Sequence, residues 1–342
     1  MPKNLNHILV IRLSAMGDVA MIVPILRELE KQYPEVKVTV LTRPFFAPFF
    51  RDLSNVSIFE ADVKGKHKGV FGLYRLSKEL KKRNIDAVAD LHNVLRSKIL
   101  KCFIKGIPFI QIDKGRNEKK ALVNGTVFRQ LKTTHQRYAD IFNTLGFKLS
   151  LSQPEFPKKV TLNPKVLDLI GKDKKPLIGI APFAAFESKA YPLPLTEEVI
   201  KELSKNYKVL LFGGGKVETE ILNKLEKKYS NTVNLTGKLS LNDELDVISN
   251  LEIMIAMDSG NAHMAAMLGK QVITLWGVTH PYAGFYPFNQ NPENALLADR
   301  TNYPKIPTSI YGNKYPEAYK DAIASITPKQ VIDKTLEIIK KA

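Results

Sequence analysis

The chain has little of several residue types that mark particular classes of protein. It contains one cysteine, Cys102, among 342 residues, so an internal disulfide is excluded and a reducing compartment is favoured. No apolar run is long enough to cross a bilayer, and the first residues lack the apolar stretch and cleavage site of a secretory signal. We therefore expect a cytoplasmic protein.

Several motifs that carry chemistry are also missing. The sequence has no Gly-x-Gly-x-x-Gly turn, which argues against a nicotinamide enzyme, and no Gly-x-Ser-x-Gly elbow, which argues against a serine hydrolase. It has no Asp-x-Asp and no cluster of His, Cys and carboxylate residues with metal-ligand spacing. We expect neither a cofactor nor a bound metal.

The charge that is present is strongly basic and unevenly distributed. The net charge is +17, and residues 64–137 hold 19 Lys and Arg against 5 Asp and Glu. Such clustering indicates nucleic acid, an anionic membrane face or an anionic substrate as partner, although a merely solvated surface is the plainer explanation. The chain lacks zinc-finger spacing and aromatic RNA-binding strands, so nucleic acid is the least favoured partner.

Short β-rich apolar runs alternate with amphipathic helical segments along most of the chain. Runs such as residues 7–13, 36–41 and 87–91 precede helical segments, and the alternation restarts at residues 177–181. This pattern predicts an α/β fold with two doubly wound parallel sheets. The proline-containing stretch 150–157 is the expected linker. The predicted division is a first domain, 1–152, a second domain, 153–326, and a last helix, 327–342.

The first predicted strand ends in a turn of small residues. Ser14, Ala15, Met16 and Gly17 follow the strand, and Asp18 stands where a helix is predicted to begin. Glycine lets a ligand approach the backbone, and a helix N-terminus stabilises an ionised aspartate. Asp18 is therefore either a helix cap, the commoner role of a lone aspartate, or a general base at the carboxyl end of a strand.

The strongest single signal lies in the second half. An apolar strand, residues 252–257, runs into Asp258-Ser259-Gly260 and then into a helix of small residues. The first amides of such a helix have no intrahelical acceptor and form an anion site that suits phosphate. His263 lies one helical turn further on the same face. Taken singly, Asp258 as a cap and His263 as a core histidine are the plainer explanations.

Two weaker signals follow other strands of the second half. Lys189 comes after residues 177–181 and could neutralise a diphosphate, although by itself it indicates only a solvated loop lysine. Gly213, Gly214 and Gly215 follow residues 208–212 and could either line a nucleotide or form a plain tight turn.

Motifs from both halves together resemble one family. They are Ile-Arg-Leu-Ser-Ala-Met-Gly-Asp at residues 11–18 with Pro24 and Leu26, then Asp258-Ser259-Gly260-x-x-His263-x-Ala265-Ala266-x-x-Gly269, and Trp276-Gly277-x-Thr279-x-Pro281. Over nearly its whole length the chain resembles the lipopolysaccharide heptosyltransferases of glycosyltransferase family 9. The resemblance implies the GT-B fold, in which two Rossmann-like domains face a central cleft. The acceptor is bound mainly by the first domain and the nucleotide-sugar donor by the second, and the last helix often packs back on the first domain.

The resemblance also implies roles for individual residues. Asp18 matches the catalytic base and Lys189 the donor-phosphate lysine of an inverting, metal-independent transfer. The implied substrates are ADP-heptose and an anionic Kdo-lipid A-type glycolipid, with peripheral association at the cytoplasmic face of the inner membrane. The expected donor-binding residues are Asp258, Ser259, Gly260, His263, Leu239, Gly213 and Thr279. The expected acceptor-binding residues are Ser14, Met16, Gly17, His92, Asn93, Arg96, His135 and Arg137.

The chain departs from the family pattern in three places. Ala184 and Ala185 stand where the family commonly has hydroxyl residues, Val278 replaces the proline of a Gly-Pro-Thr loop, and residues 299–316 form an insertion. Three hypotheses therefore stay open: a heptosyltransferase, a GT-B enzyme with a UDP or GDP donor, and a catalytically silent sugar-nucleotide-binding homologue.

Overall fold

A computed structural model describes residues 5–173 and 175–341, which form two compact units. The first unit extends to Lys114 and includes Thr134–Glu155, and the second comprises Gly115–Thr133 and the chain from Phe156 onward. The sequence division, with its boundary after residue 152, stays a prediction. The segment 115–133, which that division places in the first domain, packs in the second unit.

The secondary structure alternates between strands and helices in both units. The strands are β1 (His7–Ile11), β2 (Lys37–Thr42), β3 (Val56–Glu60), β4 (Ala87–Asp90), β5 (Phe109–Gln111), β6 (Leu177–Ala181), β7 (Lys208–Leu211), β8 (Thr232–Asn234), β9 (Ile253–Met257), β10 (Gln271–Trp276) and β11 (Ala295–Leu297). The helices are α1 (Met16–Ala20), α2 (Val23–Gln32), α3 (Gly69–Lys81), α4 (Leu95–Phe103), α5 (Arg116–Val123), α6 (Thr134–Thr144), α7 (Pro164–Ile170), α8 (Leu193–Leu203), α9 (Gly215–Lys228), α10 (Leu241–Ser249), α11 (Gly260–Met267) and α12 (Pro328–Lys341).

The first unit is built on a parallel five-stranded sheet in the order β3-β2-β1-β4-β5. In the register of this sheet Leu9 of β1 lies opposite Thr39 of β2 and Val88 of β4. The central strands are buried along almost their whole length, which explains their continuous apolar sequence. Leu76 and Leu80 of α3 complete the core on one face of the sheet.

The second unit is built on a parallel six-stranded sheet in the order β11-β10-β9-β6-β7-β8. Numbered from its own first strand, β6, this is the 3-2-1-4-5-6 order of Rossmann folds, and the first unit has the corresponding 3-2-1-4-5 order. The predicted fold class, α/β with two Rossmann-like parallel sheets, is confirmed. In each sheet the first three strands are added in one direction and the later strands on the other side of the first strand. The strand order therefore reverses between β1 and β4 and between β6 and β9. Such a reversal point leaves a crevice at the carboxyl ends of the strands.

The segment 115–133 joins the second unit through a small apolar cluster. Leu122 and Leu131 pack with Ala283, and the Leu131 amide donates to the Tyr282 carbonyl oxygen at 3.0 Å. The Lys119 ammonium lies 4.0 Å from the centre of the Phe285 ring. These contacts are distant in sequence, so helical periodicity alone could not reveal them.

Two helical predictions in the first unit are wrong in detail. The amphipathic pattern of residues 19–32 predicts one helix, but the structure has two, α1 and α2, because Pro24 favours a new helix start at Val23. The pattern of residues 44–53 also predicts a helix, but the structure has a 3₁₀ segment, Pro44–Phe50, with Pro48 in its interior.

The last helix, α12, lies in the second unit, where it packs against α8 and β10. Its expected return to the first domain stays a prediction. Within residues 5–173 and 175–341 no helix is long and apolar enough to cross a membrane.

Candidate functional site

In the first unit, Asp18 is held by a buried arginine that follows β1. The Arg12 guanidinium lies 2.5 Å from Asp18 Oδ2, and it also donates to the carbonyl oxygens of Leu91, at 2.5 Å, and Ser14, at 2.7 Å. The Ala15 amide donates to the same Asp18 oxygen at 3.2 Å. Arg12 thereby joins the ends of β1 and β4 and fixes the carboxylate at the start of α1.

The carboxyl end of β4 supplies a second polar group at the same edge of the sheet. Asp90 accepts hydrogen bonds from the amides of His92, at 3.0 Å, and Asn93, at 2.9 Å, and from the Gln111 side chain at 2.9 Å. Asn93 has a left-handed φ of 42°. The aspartate therefore shapes the turn that carries two predicted acceptor residues.

His92 is neutral at physiological pH. Its burial, together with the nearby charges of Arg12 and Lys114, lowers its pKa to about 4. The His92 Nε2 atom lies 3.3 Å from Ser14 Oγ, so the turns after β1 and β4 are in direct contact. Gly17, Met16 and Ser14 are all partly exposed in this arrangement.

The remaining predicted acceptor residues lie in helices α4 and α6. Arg96 is a partly exposed residue in the first turn of α4. His135 and Arg137 are buried in α6, and Arg137 Nη1 lies 3.3 Å from the Asp113 carbonyl oxygen and 3.7 Å from its carboxylate. Arg137 therefore has a structural ion pair in addition to any ligand it binds.

In the second unit, Lys189 and Asp258 meet at the point where the sheet reverses. Lys189 lies in a short 3₁₀ turn after β6, and Asp258 directly follows β9, the neighbouring strand. The Lys189 ammonium lies 2.9 Å from Asp258 Oδ2, with the two side chains only 12% and 10% exposed. Thr279 Oγ1 donates to the same oxygen at 3.1 Å. Three predicted donor-side residues therefore form one connected group.

Helix α11 begins immediately beside this group. Ser259 is its N-cap residue, but the Ser259 side chain makes no capping hydrogen bond. Ser259 Oγ is buried and has no hydrogen-bond partner within the part of the chain that the structure describes. His263 is buried one turn further along, among small residues that bring α11 close to the sheet. An N-terminus with such an unused hydroxyl suits an anionic ligand.

The other two predicted donor residues lie in loops after β7 and β8. At Gly213 a Cβ atom would lie 3.0 Å from Glu218 Oε2, and the same carboxylate accepts from the Gly214 amide at 2.7 Å. The glycine residues therefore let the turn before α9 pack closely against the Glu218 carboxylate. Leu239 is partly buried just before α10.

Sequence reasoning missed two carboxylates. Asp90 shapes the turn after β4, and its position at the end of a strand was the available signal. Glu244 lies in the first turn of α10, and burial raises its pKa to about 7. Nothing in the sequence around Glu244 distinguishes it from an ordinary first-turn acid.

No group of three or more His, Cys, Asp or Glu side chains within residues 5–173 and 175–341 is arranged to hold a metal ion. A cavity of about 620 Å³ lies in the second unit between the end of α5 and residues 300–316, with Phe128 and Arg300 in its wall. None of the predicted site residues lines it.

Comparisons with known proteins agree on one family. A family model described as glycosyltransferase family 9 (heptosyltransferase) matches residues 73–314. The chain is similar to lipooligosaccharide heptosyltransferase 2 of Haemophilus influenzae, at 27% identity over 98% of this chain and 100% of that protein.

Two solved structures are similar along their whole length. A glycosyltransferase family 9 protein from Veillonella parvula has a TM-score of 0.76 at 18% identity, with 100% of this chain and 99% of that chain covered. The ADP-heptose lipopolysaccharide heptosyltransferase II of Escherichia coli has a TM-score of 0.70 at 21% identity, with 98% and 99% covered. At these identities the likeness concerns the fold, and the predicted GT-B fold is confirmed. Because the family model covers well over half of the chain, the protein belongs to glycosyltransferase family 9, the heptosyltransferase family, and is a glycosyltransferase.

Proposed function

We propose that this glycosyltransferase moves a heptose from an ADP-activated donor to an anionic lipopolysaccharide inner-core acceptor. The observation that carries the proposal is the Lys189–Asp258 pair beside the first amides of α11, at the reversal point of the second sheet. A cation and free amides at that position suit the diphosphate of a nucleotide sugar. The heptose and the lipopolysaccharide acceptor are supported by the names of the similar proteins.

On the donor side, Lys189 and the backbone would share the charge of the leaving diphosphate. Asp258 holds the lysine ammonium at 2.9 Å, and Thr279 donates to the same carboxylate. Asp258 thus positions the lysine, while the amides from Gly260 onward and the unused Ser259 hydroxyl donate to phosphate oxygens. In this metal-independent scheme the negative charge is met by one ammonium and by backbone donors.

Glu244 adds a proposed contact to the nucleoside. Its carboxyl group is buried enough to raise its pKa to about 7, and no hydrogen bond to its side chain occurs among the described residues. In Rossmann-type nucleotide sites an acidic side chain commonly accepts hydrogen bonds from ribose hydroxyls. We assign Glu244 that role, with Leu239 and Gly213 against the rest of the nucleoside.

On the acceptor side, Asp18 would act as the general base. Its Oδ2 atom is occupied by Arg12 and the Ala15 amide, whereas Oδ1 makes no hydrogen bond within the described part of the chain. Oδ1 is therefore the oxygen that takes the proton from the acceptor hydroxyl as that hydroxyl attacks the anomeric carbon. The diphosphate leaves from the opposite face, which inverts the anomeric centre.

The basic first half suits an acceptor that carries phosphate and carboxylate groups. We propose that His92, Asn93, Arg96, His135 and Arg137, together with the turn from Ser14 to Gly17, line the acceptor side. We also propose that the enzyme works at the cytoplasmic face of the inner membrane, where such a glycolipid is anchored.

Calorimetry with ADP, UDP and GDP, followed by turnover with ADP-heptose, tests the proposal. We expect ADP to bind most tightly and transfer to require the glycolipid acceptor. Preference for UDP or GDP would contradict the heptose donor. Donor binding without any transfer would instead favour the silent homologue that Ala184 and Ala185 raise as the second candidate.

A further inference from the structure

Helix α3 exposes three large apolar side chains in its first two turns. Phe71 is 90% exposed, Val70 54% and Tyr74 47%. The opposite side of the same helix already supplies Leu73, Leu76 and Leu80 to the core. Tyr74 also packs edge-to-face against Phe103 of α4 at 5.4 Å between ring centres, whereas Phe71 and Val70 are not part of the core cluster. Adjacent exposed apolar side chains of this size commonly mark an interaction surface.

Cations surround this apolar group on the same helical face. The spacing of α3 places Arg75 and Lys78 beside Phe71, with Lys81 and Lys82 one turn further on and Lys68 just before the helix. None of these five forms an ion pair with a carboxylate in the described part of the chain. We call these five cations, with Val70, Phe71 and Tyr74, the α3 surface.

Three acidic side chains near α3 in sequence are already engaged elsewhere, and one of them, Asp86, accepts hydrogen bonds from the amides of Asn6 and His7. Glu79 lies 2.7 Å from the Lys66 ammonium and also contacts His67, which keeps its pKa below the usual range. Asp62 accepts hydrogen bonds from the amides of Gly65 and Lys66. The α3 surface therefore presents uncompensated positive charge around an apolar centre.

We propose that the α3 surface docks this protein on an anionic lipid bilayer. Phe71 and Val70 would enter the boundary between headgroups and acyl chains, while the long stems of the cations let their charges remain at the lipid phosphates. A second copy of the chain is disfavoured because two such surfaces would repel each other. Nucleic acid would satisfy the cations but offers no apolar phase for Phe71. The inference rests on the proposed function in one respect: docking would bring the enzyme to a membrane-anchored acceptor.

Co-sedimentation of the full-length protein with lipid vesicles tests the inference. We expect binding to phosphatidylcholine vesicles that contain phosphatidylglycerol, weaker binding as salt increases, and little binding to phosphatidylcholine alone. Phe71→Ser should weaken partitioning roughly tenfold, because burial of an aromatic side chain is lost. Lys78→Gln with Lys81→Gln should weaken it by roughly fivefold for each charge removed.

Matched controls lie on α9 in the second unit. Val217 is 71% exposed and serves as the control for Val70, so Val217→Ser should bind vesicles as the wild type does while Val70→Ser binds less. Lys224→Gln with Lys227→Gln removes two exposed charges that are not part of the α3 surface and should have little effect. ADP binding should be unchanged in all these variants, which also shows that they are folded.

Three results would overturn the inference. They are vesicle binding that Phe71→Ser and Val70→Ser leave intact, absence of vesicle binding by the wild type, and a change of oligomeric state in the α3 variants with no change in vesicle binding. A failure of the proposed function is separate, since it would appear as missing ADP binding or transfer while vesicle binding persists.

Discussion

Gly312 packs directly against the aliphatic stem of Lys189. A Cβ atom at residue 312 would lie 2.5 Å from Lys189 Cδ and 2.7 Å from Cγ. The Gly312 carbonyl oxygen accepts a hydrogen bond from the buried Ser188 hydroxyl at 2.6 Å, and its amide donates to Ser309 Oγ at 2.9 Å. The insertion 299–316, which the family pattern does not explain, thus supports the turn that carries the proposed phosphate lysine.

Gly312→Ala is expected to weaken ADP binding by roughly tenfold, the loss of about one hydrogen bond to a charged group. The new methyl group would push the lysine stem away and withdraw the ammonium from Asp258. Calorimetry should show the loss in the wild-type background but little further loss in Lys189→Met, where the ammonium is already absent.

Gly106→Ala is the matched control for this substitution. Gly106 has φ of 86°, close to the 84° of Gly312, but a Cβ atom there would meet nothing within 4 Å. Both variants therefore carry the same backbone strain, and only Gly312→Ala should affect ADP. Equal ADP affinities of the two variants would show that Gly312 does not position the lysine. If Gly312→Ala does not fold, Ser188→Ala tests the same support by removing the hydrogen bond to the Gly312 carbonyl.

Asp18→Asn is expected to lower kcat by roughly 10²- to 10⁴-fold, the usual contribution of a general base, while ADP affinity stays near that of the wild type. Arg12 would lose its carboxylate partner, so the thermal midpoint must be measured alongside the rate. Asp333→Asn, which removes an exposed ion pair with Lys329 on α12, is the control. Turnover that survives in Asp18→Asn would exclude it as the base.

Glu244→Gln should stabilise the ligand-free protein at pH 8 and weaken its ADP binding. Burial raises the folded-state pKa to about 7 from an ordinary value of 4.5, so the unfolded state ionises first as pH rises. The carboxyl group therefore costs up to about 3 kcal/mol above pH 7, and this cost vanishes toward pH 4.5. Chemical denaturation at both pH values checks the difference. A variant that gains stability yet binds ADP normally would refute the ribose contact.

The free energy of unfolding should fall as pH decreases from 6.5 to 4. Above pH 6.5 His92 is neutral in both states, but below it the unfolded chain takes up a proton that the folded site, with a pKa of about 4, does not. His92→Asn should remove about 2 to 3 kcal/mol of this pH dependence. Burial and the nearby charge of Arg300 also lower the pKa of His280 to about 4. The His92→Asn variant should therefore keep a similar pH dependence of stability that comes from His280. Parallel pH profiles of wild type and His92→Asn would contradict the prediction.

Much of the fold could be predicted because it depends on local patterns. Continuous apolar runs such as residues 252–257 and 271–276 are buried central strands, and small residues after Asp258 form the close-packed helix α11. Proline decided two details that periodicity obscured, the break before Val23 and the 3₁₀ form of Pro44–Phe50. The short strand β11 was missed because three residues at a sheet edge carry almost no pattern.

The roles of the candidate site residues stay a prediction, and the contacts between these residues could not be predicted from the sequence. A Lys189 that by itself indicated a solvated loop is largely buried against Asp258, since β6 and β9 become neighbours only in the folded sheet. Only the folded structure shows that Arg12 pairs with Asp18. Only its burial distinguishes Glu244 from an ordinary acidic residue.

By itself, the sequence determined the two α/β units, the family, and the turn between β9 and α11, because hydrophobic period and glycine placement act over a few residues. The tertiary structure decided which strands lie side by side, that residues 115–133 pack in the second unit, that the insertion supports Lys189, and that Phe71 is left exposed beside five cations. These features depend on contacts between residues far apart in the chain, and burial and pKa follow from such contacts rather than from residue type.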